Sequence, residues 1–260
     1  MRFKALSIFF IFFLSISAWG KEVDMPVIKI YYDNTSVNKE IKPDWGFSAL
    51  VKYRGRNILF DTGGNAQVLA ENMKKMGSDP KSIEFVVVSH EHWDHVGGLS
   101  AILRPGQKVY FLKSFPESLK DKVKASGAGL FEVAGFQEII PGVYTTGELG
   151  GVLKEQSLIL DTDKGLIIVT GCSHPGIVEI VRRSKELLKK EVYFVIGGFH
   201  LGALGAGQVE KIIAELKDLE VKKLAPCHCT GEKAISLFQK EFGNDFLKVG
   251  AGSILDTSKL

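Results

Sequence analysis

The sequence predicts an α/β (α+β) chain, built as two mixed β-sheets packed together with helices outside. Two patterns carry that prediction. Hairpins fall early in each half, at Arg54-Gly55-Arg56 and at Asp161-Thr162-Asp163-Lys164-Gly165, where turn residues join short apolar runs. After the second hairpin, strand-length apolar runs alternate with segments of helical period. The bulk composition suits a soluble globular fold: 260 residues, 45% hydrophobic and 24% charged. It excludes disorder, collagen and disulfide-stapled miniatures. A formal charge of +3, with no basic patch interleaved by aromatics, leaves no footprint for nucleic acid.

Taken in order, Met1–Gly20 reads as an address. Arg2 and Lys4 make a positive start, Ala5–Ser17 an apolar run, and Ala18 and Gly20 supply the small residues a signal peptidase inspects. The apolar run is shorter than the roughly 20 residues that span a bilayer. The expectation is a cleaved secretory signal, residues 1–20, and one exported domain, residues 21–260, periplasmic or secreted and with no stable membrane insertion. Without Arg2 and Lys4 the mature chain has 31 basic and 30 acidic residues. Strands are expected at Val27–Tyr32, Phe47–Tyr53 and Asn57–Phe60, then a helix at Ala66–Met76 stopped by Gly77. Strands at Phe85–Val88 and Lys108–Leu112 follow, with a helix at Pro116–Ala125. Gln156–Leu160 and Leu166–Thr170 flank the second hairpin turn. Helices at Ile177–Lys190, Gln208–Leu219 and Glu232–Phe242 then alternate with strands at Tyr193–Ile196, Lys223–Ala225 and Phe246–Val249.

The chain has only six His and three Cys, and their positions are not scattered. Residues 90–95 read His-Glu-His-Trp-Asp-His, directly after an apolar strand and before Gly97-Gly98. Imidazole and carboxylate are ligands for zinc, iron or manganese. A loop leaving a strand can aim His90 and His92 at one ion, while Asp94 and His95 begin the next turn and face a second point. His174, His200 and His228 each follow another apolar strand among glycines, and Cys172, Cys227 and Cys229 lie beside them. Cys227 and Cys229 are too close in sequence for good disulfide geometry. Asp61, in Phe60-Asp61-Thr62-Gly63-Gly64 at a strand end, reads either as a metal ligand or, the favoured reading, as the acceptor that holds a ligand imidazole in the correct tautomer.

These motifs resemble the metallo-β-lactamase superfamily. The matching pieces are His90-x-His92-x-Asp94-His95, the preceding Asp61-Thr62-Gly63, and later strand-end ligands in order. The strings HEHWDHVGGL, GCSHPGI, GGFHL and PCHCTG are similar to the branch named for 7,8-dihydropterin-6-methyl-4-(β-D-ribofuranosyl)aminobenzene-5′-phosphate synthase. The resemblance implies a four-layer αββα sandwich of two mixed sheets with a dinuclear site, usually zinc, on their open edge. It places His90, His92 and His174 on a first metal and Asp94, His95 and His228 on a second. Many superfamily hydrolases carry a bridging Asp at the strand end where this chain has Cys172. Glu155, just before the strand Gln156–Leu160, is a candidate extra carboxylate near the site, and Cys172, Cys227 and Cys229 receive no role at this stage.

The chemistry expected is hydrolysis of an ester, phosphoester or amide bond in a small-molecule substrate. Two divalent ions, zinc foremost with manganese or iron as alternatives, can hold a hydroxide between them and polarise the oxygen under attack. Asp94 would orient that nucleophile or carry its proton, and His200, facing the cleft, would stabilise the developing oxyanion. A synthase or transferase acting on a pterin or phosphorylated substrate is the alternative, and a non-hydrolytic metal or redox protein on the same scaffold a third.

Overall fold

In the computed structural model, which describes residues 24–260, β1 (Val27–Tyr32), β2 (Ser48–Tyr53) and β3 (Arg56–Phe60) form an antiparallel meander. The expected signal segment, residues 1–20, lies outside the described residues. Tyr53 pairs with Arg56 across a two-residue turn in which Arg54 and Gly55 both have positive φ, 50° and 70°. That is the twist a tight hairpin requires. From β3 onward the sheet turns parallel. α1 (Ala66–Lys75) leads to β4 (Phe85–Val87), the short α2 (Trp93–Val96) to β5 (Lys108–Leu112), and α3 (Glu117–Ala125) to β6 (Gly129–Val133).

The second sheet repeats the scheme. β7 (Gln137–Ile140), β8 (Val143–Thr145), β9 (Leu158–Thr162) and β10 (Gly165–Thr170) run antiparallel. β11 (Val192–Gly198) and β12 (Lys223–Cys227) then add parallel to β10 through α4 (Ile177–Leu188) and α5 (Ala206–Asp218). After α6 (Glu232–Phe242) the chain returns to the first sheet, where β13 (Ile254–Asp256) pairs antiparallel with β1.

The period of two in β10 shows how the layers stack. Ile167 and Val169 join the inter-sheet core with Leu158, Leu160, Phe194 and Ile196, and with Leu50, Ile58, Phe60, Val86 and Phe111 of the first sheet. Leu166 and Ile168 face the other way, against Ile177, Ile180 and Val181 of α4 and Val209, Ile213 and Leu216 of α5. Both faces of β10 are therefore buried, and each such aliphatic side chain contributes roughly 1.5–3 kcal/mol by leaving water. α1 and α3 lie against β1 and β6. The order is αββα, as expected. Polar groups also cross the interface between the sheets: the Tyr53 hydroxyl of β2 donates to the Asp161 carbonyl of β9 at 2.6 Å, and Gln156 reaches deeper. Gln156 donates from Nε2 to the carbonyls of Val88 (2.8 Å) and Tyr110 (3.3 Å), and its Oε1 accepts from the Thr145 hydroxyl (2.6 Å).

Two differences from the sequence reading stand out. Phe246–Val249 is not a strand; Phe246 makes a single bridge to Leu224, because the 3₁₀ turn Gly243–Asp245 brings the chain onto β12 and away again. β6, β7, β8 and β13 were not expected. β6, β7 and β13 are largely exposed or half-exposed, β8 is mostly buried but only three residues long, and none has the continuous apolar run that marked the central strands. Among the described residues, no helix is long and apolar enough to cross a membrane.

Candidate metal centre

Four loops at strand C-termini converge on one rim. His90 and His92 follow β4, with Asp94 and His95 in the single turn of α2. His174 follows β10, His200 follows β11 and His228 follows β12. Asp61, Ser173, His200 and His228 all take positive φ, 58°, 62°, 52° and 49°. Non-glycine residues adopt that conformation in only a few per cent of cases, and of the seven that do so among the described residues, four fall on this rim. A Cβ on Gly97 would stand 2.2 Å from the Gly64 carbonyl oxygen, and one on Gly98 2.0 Å from that of Thr62. The paired glycines thus let the 62–64 loop pack onto the histidine loop.

The ligand atoms form two triads. Those of His90, His92 and His174 lie within 4.8 Å of one another, and so do those of Asp94, His95 and His228. The triads adjoin: the His90 and His95 ring centroids are 4.1 Å apart. All six residues assigned to metal by sequence are brought together. His200 stands at the exposed rim, its ring centroid 4.4 Å from that of His174.

Hydrogen bonds behind the rings fix which nitrogen is free. Asp61, fully buried, accepts from the Ser89 N–H (2.7 Å), the Ser89 hydroxyl (2.7 Å) and His95 Nδ1 (2.6 Å). With its hydroxyl hydrogen on Asp61, Ser89 Oγ accepts from His90 Nδ1 at 2.9 Å. His228 Nδ1 donates to Asn34 Oδ1 (2.9 Å), and the Asn34 amide returns a bond to the His228 carbonyl (3.1 Å). Nε2 of His90 and His228 is then left as a bare lone pair, the form a metal ligand needs, while His95 Nε2 faces the Cys172 sulfur at 3.3 Å. Nε2 of His90, His174 and His228 are buried with no hydrogen-bond partner. A buried polar atom without a partner is costly, and three aimed into one centre fit a cation. Asp61 therefore acts behind the imidazoles, with its carboxylate oxygens taken up by protein donors.

The electrostatics agree. Burial, then the imidazoles of His95, His174 and His92, push His90 far below the usual histidine range. Burial and His200 bring His174 down to about 4, so both rings stay neutral well into acid. Burial opposes ionisation of Asp94, yet the His228 and His95 rings, 3.4 and 3.7 Å from its Oδ2, hold it down at about 2. Burial works against a charge on His95, but Asp61 outweighs it and raises His95.

Glu155 has a different task. It is buried and accepts from the backbone N–H groups of Cys172 (2.9 Å), Ser173 (2.9 Å) and His174 (2.8 Å). It pins the loop that presents His174. Cys172 is buried at the centre, its Sγ 3.3 Å from His95 Nε2. The neighbouring Cys229 thiol and burial raise Cys172, whereas the hydrogen bond from Cys172 brings Cys229 down to about 4. All three cysteines are free. A cleft of about 700 Å³ opens beside His228 and Cys229, lined among others by Asn34, Trp45, Ile235 and Lys248.

Residues 43–181 match the family model described as the metallo-beta-lactamase superfamily. The chain belongs to the metallo-β-lactamase superfamily. Within it, the chain is 31% identical to the 7,8-dihydropterin-6-methyl-4-(β-D-ribofuranosyl)aminobenzene-5′-phosphate synthase of Methanocaldococcus jannaschii, over 91% of this chain and 98% of that protein. A solved structure described as a metal-dependent hydrolase of the β-lactamase superfamily superposes with a TM-score of 0.80 at 28% identity, covering 89% of this chain and 99% of that one. A metallo-β-lactamase fold protein of Bacillus subtilis superposes at 0.65 with 12% identity, over 90% of this chain and all of that one, which speaks to fold alone.

Sequence reasoning missed three members of this metallo-β-lactamase centre, Ser89 among them. Asp33, whose Oδ2 accepts from the His228 N–H at 2.9 Å, and Asn34 both follow β1. Nothing in Tyr32-Asp33-Asn34-Thr35 separates it from an ordinary polar turn. Only the place of β1 in the first sheet, between β13 and β2 near one edge, carries it under the last loop.

Proposed function

We propose that the chain is a metal-dependent hydrolase that holds two divalent cations, zinc foremost, and cleaves an ester, phosphoester or amide bond of a small-molecule substrate. The observation that carries this reading is the pair of adjoining triads, His90/His92/His174 and Asp94/His95/His228, with unpartnered buried nitrogens in both. Two divalent cations would lower the pKa of water at the site and polarise the scissile oxygen. Asp94, ionised and open enough to meet solvent on one side, orients the attacking water and takes its proton. His200, at the rim and raised by its bond with Cys229, presents an N–H to the negative oxygen that develops. The cleft beside His228 gives the substrate a place to lie.

A synthase or transferase reaction is the second reading, favoured by the 31% identity to the archaeal synthase over nearly its full length. The purified chain should carry about two equivalents of metal and turn over at least one of a chromogenic phosphodiester, a lactone and a cephalosporin. His92→Ala and His228→Ala should each lose metal while keeping the wild-type circular dichroism. Metal content unchanged in both variants would refute the ligand assignment. No turnover with zinc or manganese restored, alongside tight binding of a pterin, would replace hydrolysis by the second reading. Export is part of the proposal, and the mature protein recovered from outside the cytoplasm should begin at Lys21.

A further inference from the structure

Three sulfurs lie near the rim, and the fold treats each differently. Cys227 is packed into the inter-sheet core. Cys229 is half-buried; its Sγ lies 3.7 Å from the Cys172 carbonyl oxygen and so close to Gly198 that a Cβ there would stand 2.6 Å from it. Cys172 is 3% exposed and lies among the metal-ligand atoms. Its Sγ lies within 4.8 Å of a ligand atom on His90 and His95 together, on His174 and His200 together, and on His228 and Cys229 together. It therefore neighbours members of both triads, a property no other cysteine of the chain shares among the described residues.

Nothing at this position asks for sulfur on packing grounds. The Cys172 N–H is satisfied by Glu155, and the side chain turns away from the inter-sheet core toward the buried nitrogens of His90, His174 and His228. A small apolar residue would fill the space without placing a donor there. Sulfur supplies a soft donor at the one point between the triads.

We infer that Cys172 is a metal ligand, its thiolate shared between the two triads. This rests on the proposed dinuclear centre. The thiol proton leaves to solvent when the metal binds, so no oxidant or further reactant is needed. A thiolate at the shared position selects borderline and soft cations over magnesium, calcium and manganese, which prefer oxygen. The position thus points to zinc, iron or cobalt as the ion retained, with manganese bound much more weakly.

Cobalt(II) loading of the metal-free full-length mature chain tests this without recourse to activity. Visible ligand-field bands report loading, and a near-ultraviolet sulfur-to-cobalt charge-transfer band reports a coordinated thiolate. The wild type should load two equivalents and show that band, and Cys229→Ala should keep it. Cys172→Asp should load two equivalents and lose the band; Cys172→Ala should lose the band and bind cobalt at least ten-fold more weakly. Should Cys172→Asp fail to fold by circular dichroism, the near-isosteric Cys172→Ser carries the same readout. A charge-transfer band surviving in the Cys172 variants, or absent from fully loaded wild type, overturns the inference while leaving a metal centre in place. A wild type that takes up no cobalt overturns the dinuclear centre and this inference together.

Discussion

Asp61 ties both triads to a single carboxylate, through Ser89 to His90 and directly to His95. Asp61→Asn keeps the shape and tolerates the positive φ of 58°. It removes the charge and half the acceptor capacity. Metal affinity should fall about 10–100-fold, the usual consequence of altering a group that orients a ligand; isothermal titration with zinc measures it, and a change under two-fold would contradict the role. His174 yields a pH prediction. Its pKa is lowered from 6.5 to about 4 in the folded chain. Between those values the unfolded chain binds a proton here that the folded chain does not, so acidification through this window costs stability. The Tm of the metal-free wild type should fall more steeply from pH 6.5 to 4 than that of His174→Asn, and equal slopes would contradict it. The histidines were legible in the sequence because the residue type is rare and chemically narrow. Asp33 and Asn34 were not, because polar residues after a strand are common and their partner lies almost two hundred positions away.

At the scale of elements, the centre is a set of strand-end loops, each held from behind. The loop after β10 hangs on Glu155, which takes three consecutive backbone N–H groups. Burial raises the Glu155 carboxyl above its ordinary range, but whatever its charge, each buried N–H left unpaired costs about 1–3 kcal/mol. Glu155→Leu, similar in volume, should therefore lower the unfolding free energy by roughly 3 kcal/mol or more in urea titration; a loss below 1 kcal/mol would show that the loop holds itself. The central strands and long helices were readable because burial on one or both faces writes a strong period into sequence. β6 and β7 carry mostly exposed or half-exposed positions, so their pairing is decided by the neighbouring strand, which local pattern cannot show. Phe246–Val249 failed the opposite way. It is an apolar run that a turn turns aside after one bridge.

For the molecule as a whole, His90, His92, Asp94 and His95 come from the first sheet's side, and His174, His200 and His228 from the second's. A cation bound at the centre cross-links the two halves. Stripping metal from protein held at about a hundred-fold excess over the dissociation constant should cost about 2.7 kcal/mol. For a chain of this length that lowers Tm by roughly 5–10 °C, in one cooperative calorimetric transition; an unchanged Tm would show that the ions do not join the sheets. The sheets meet largely through hydrocarbon, and hydrocarbon gives cohesion without alignment, since one greasy face can slide over another at little cost. Gln156, the Tyr53 hydroxyl on Asp161 and the Asp33 and Asn34 bonds to His228 are the locating pins in that bearing. Such fixed contacts would keep the two halves of the candidate metal centre in register while the apolar interior around them repacks. Catalytic tuning and overall robustness thereby become separately adjustable properties of one fold.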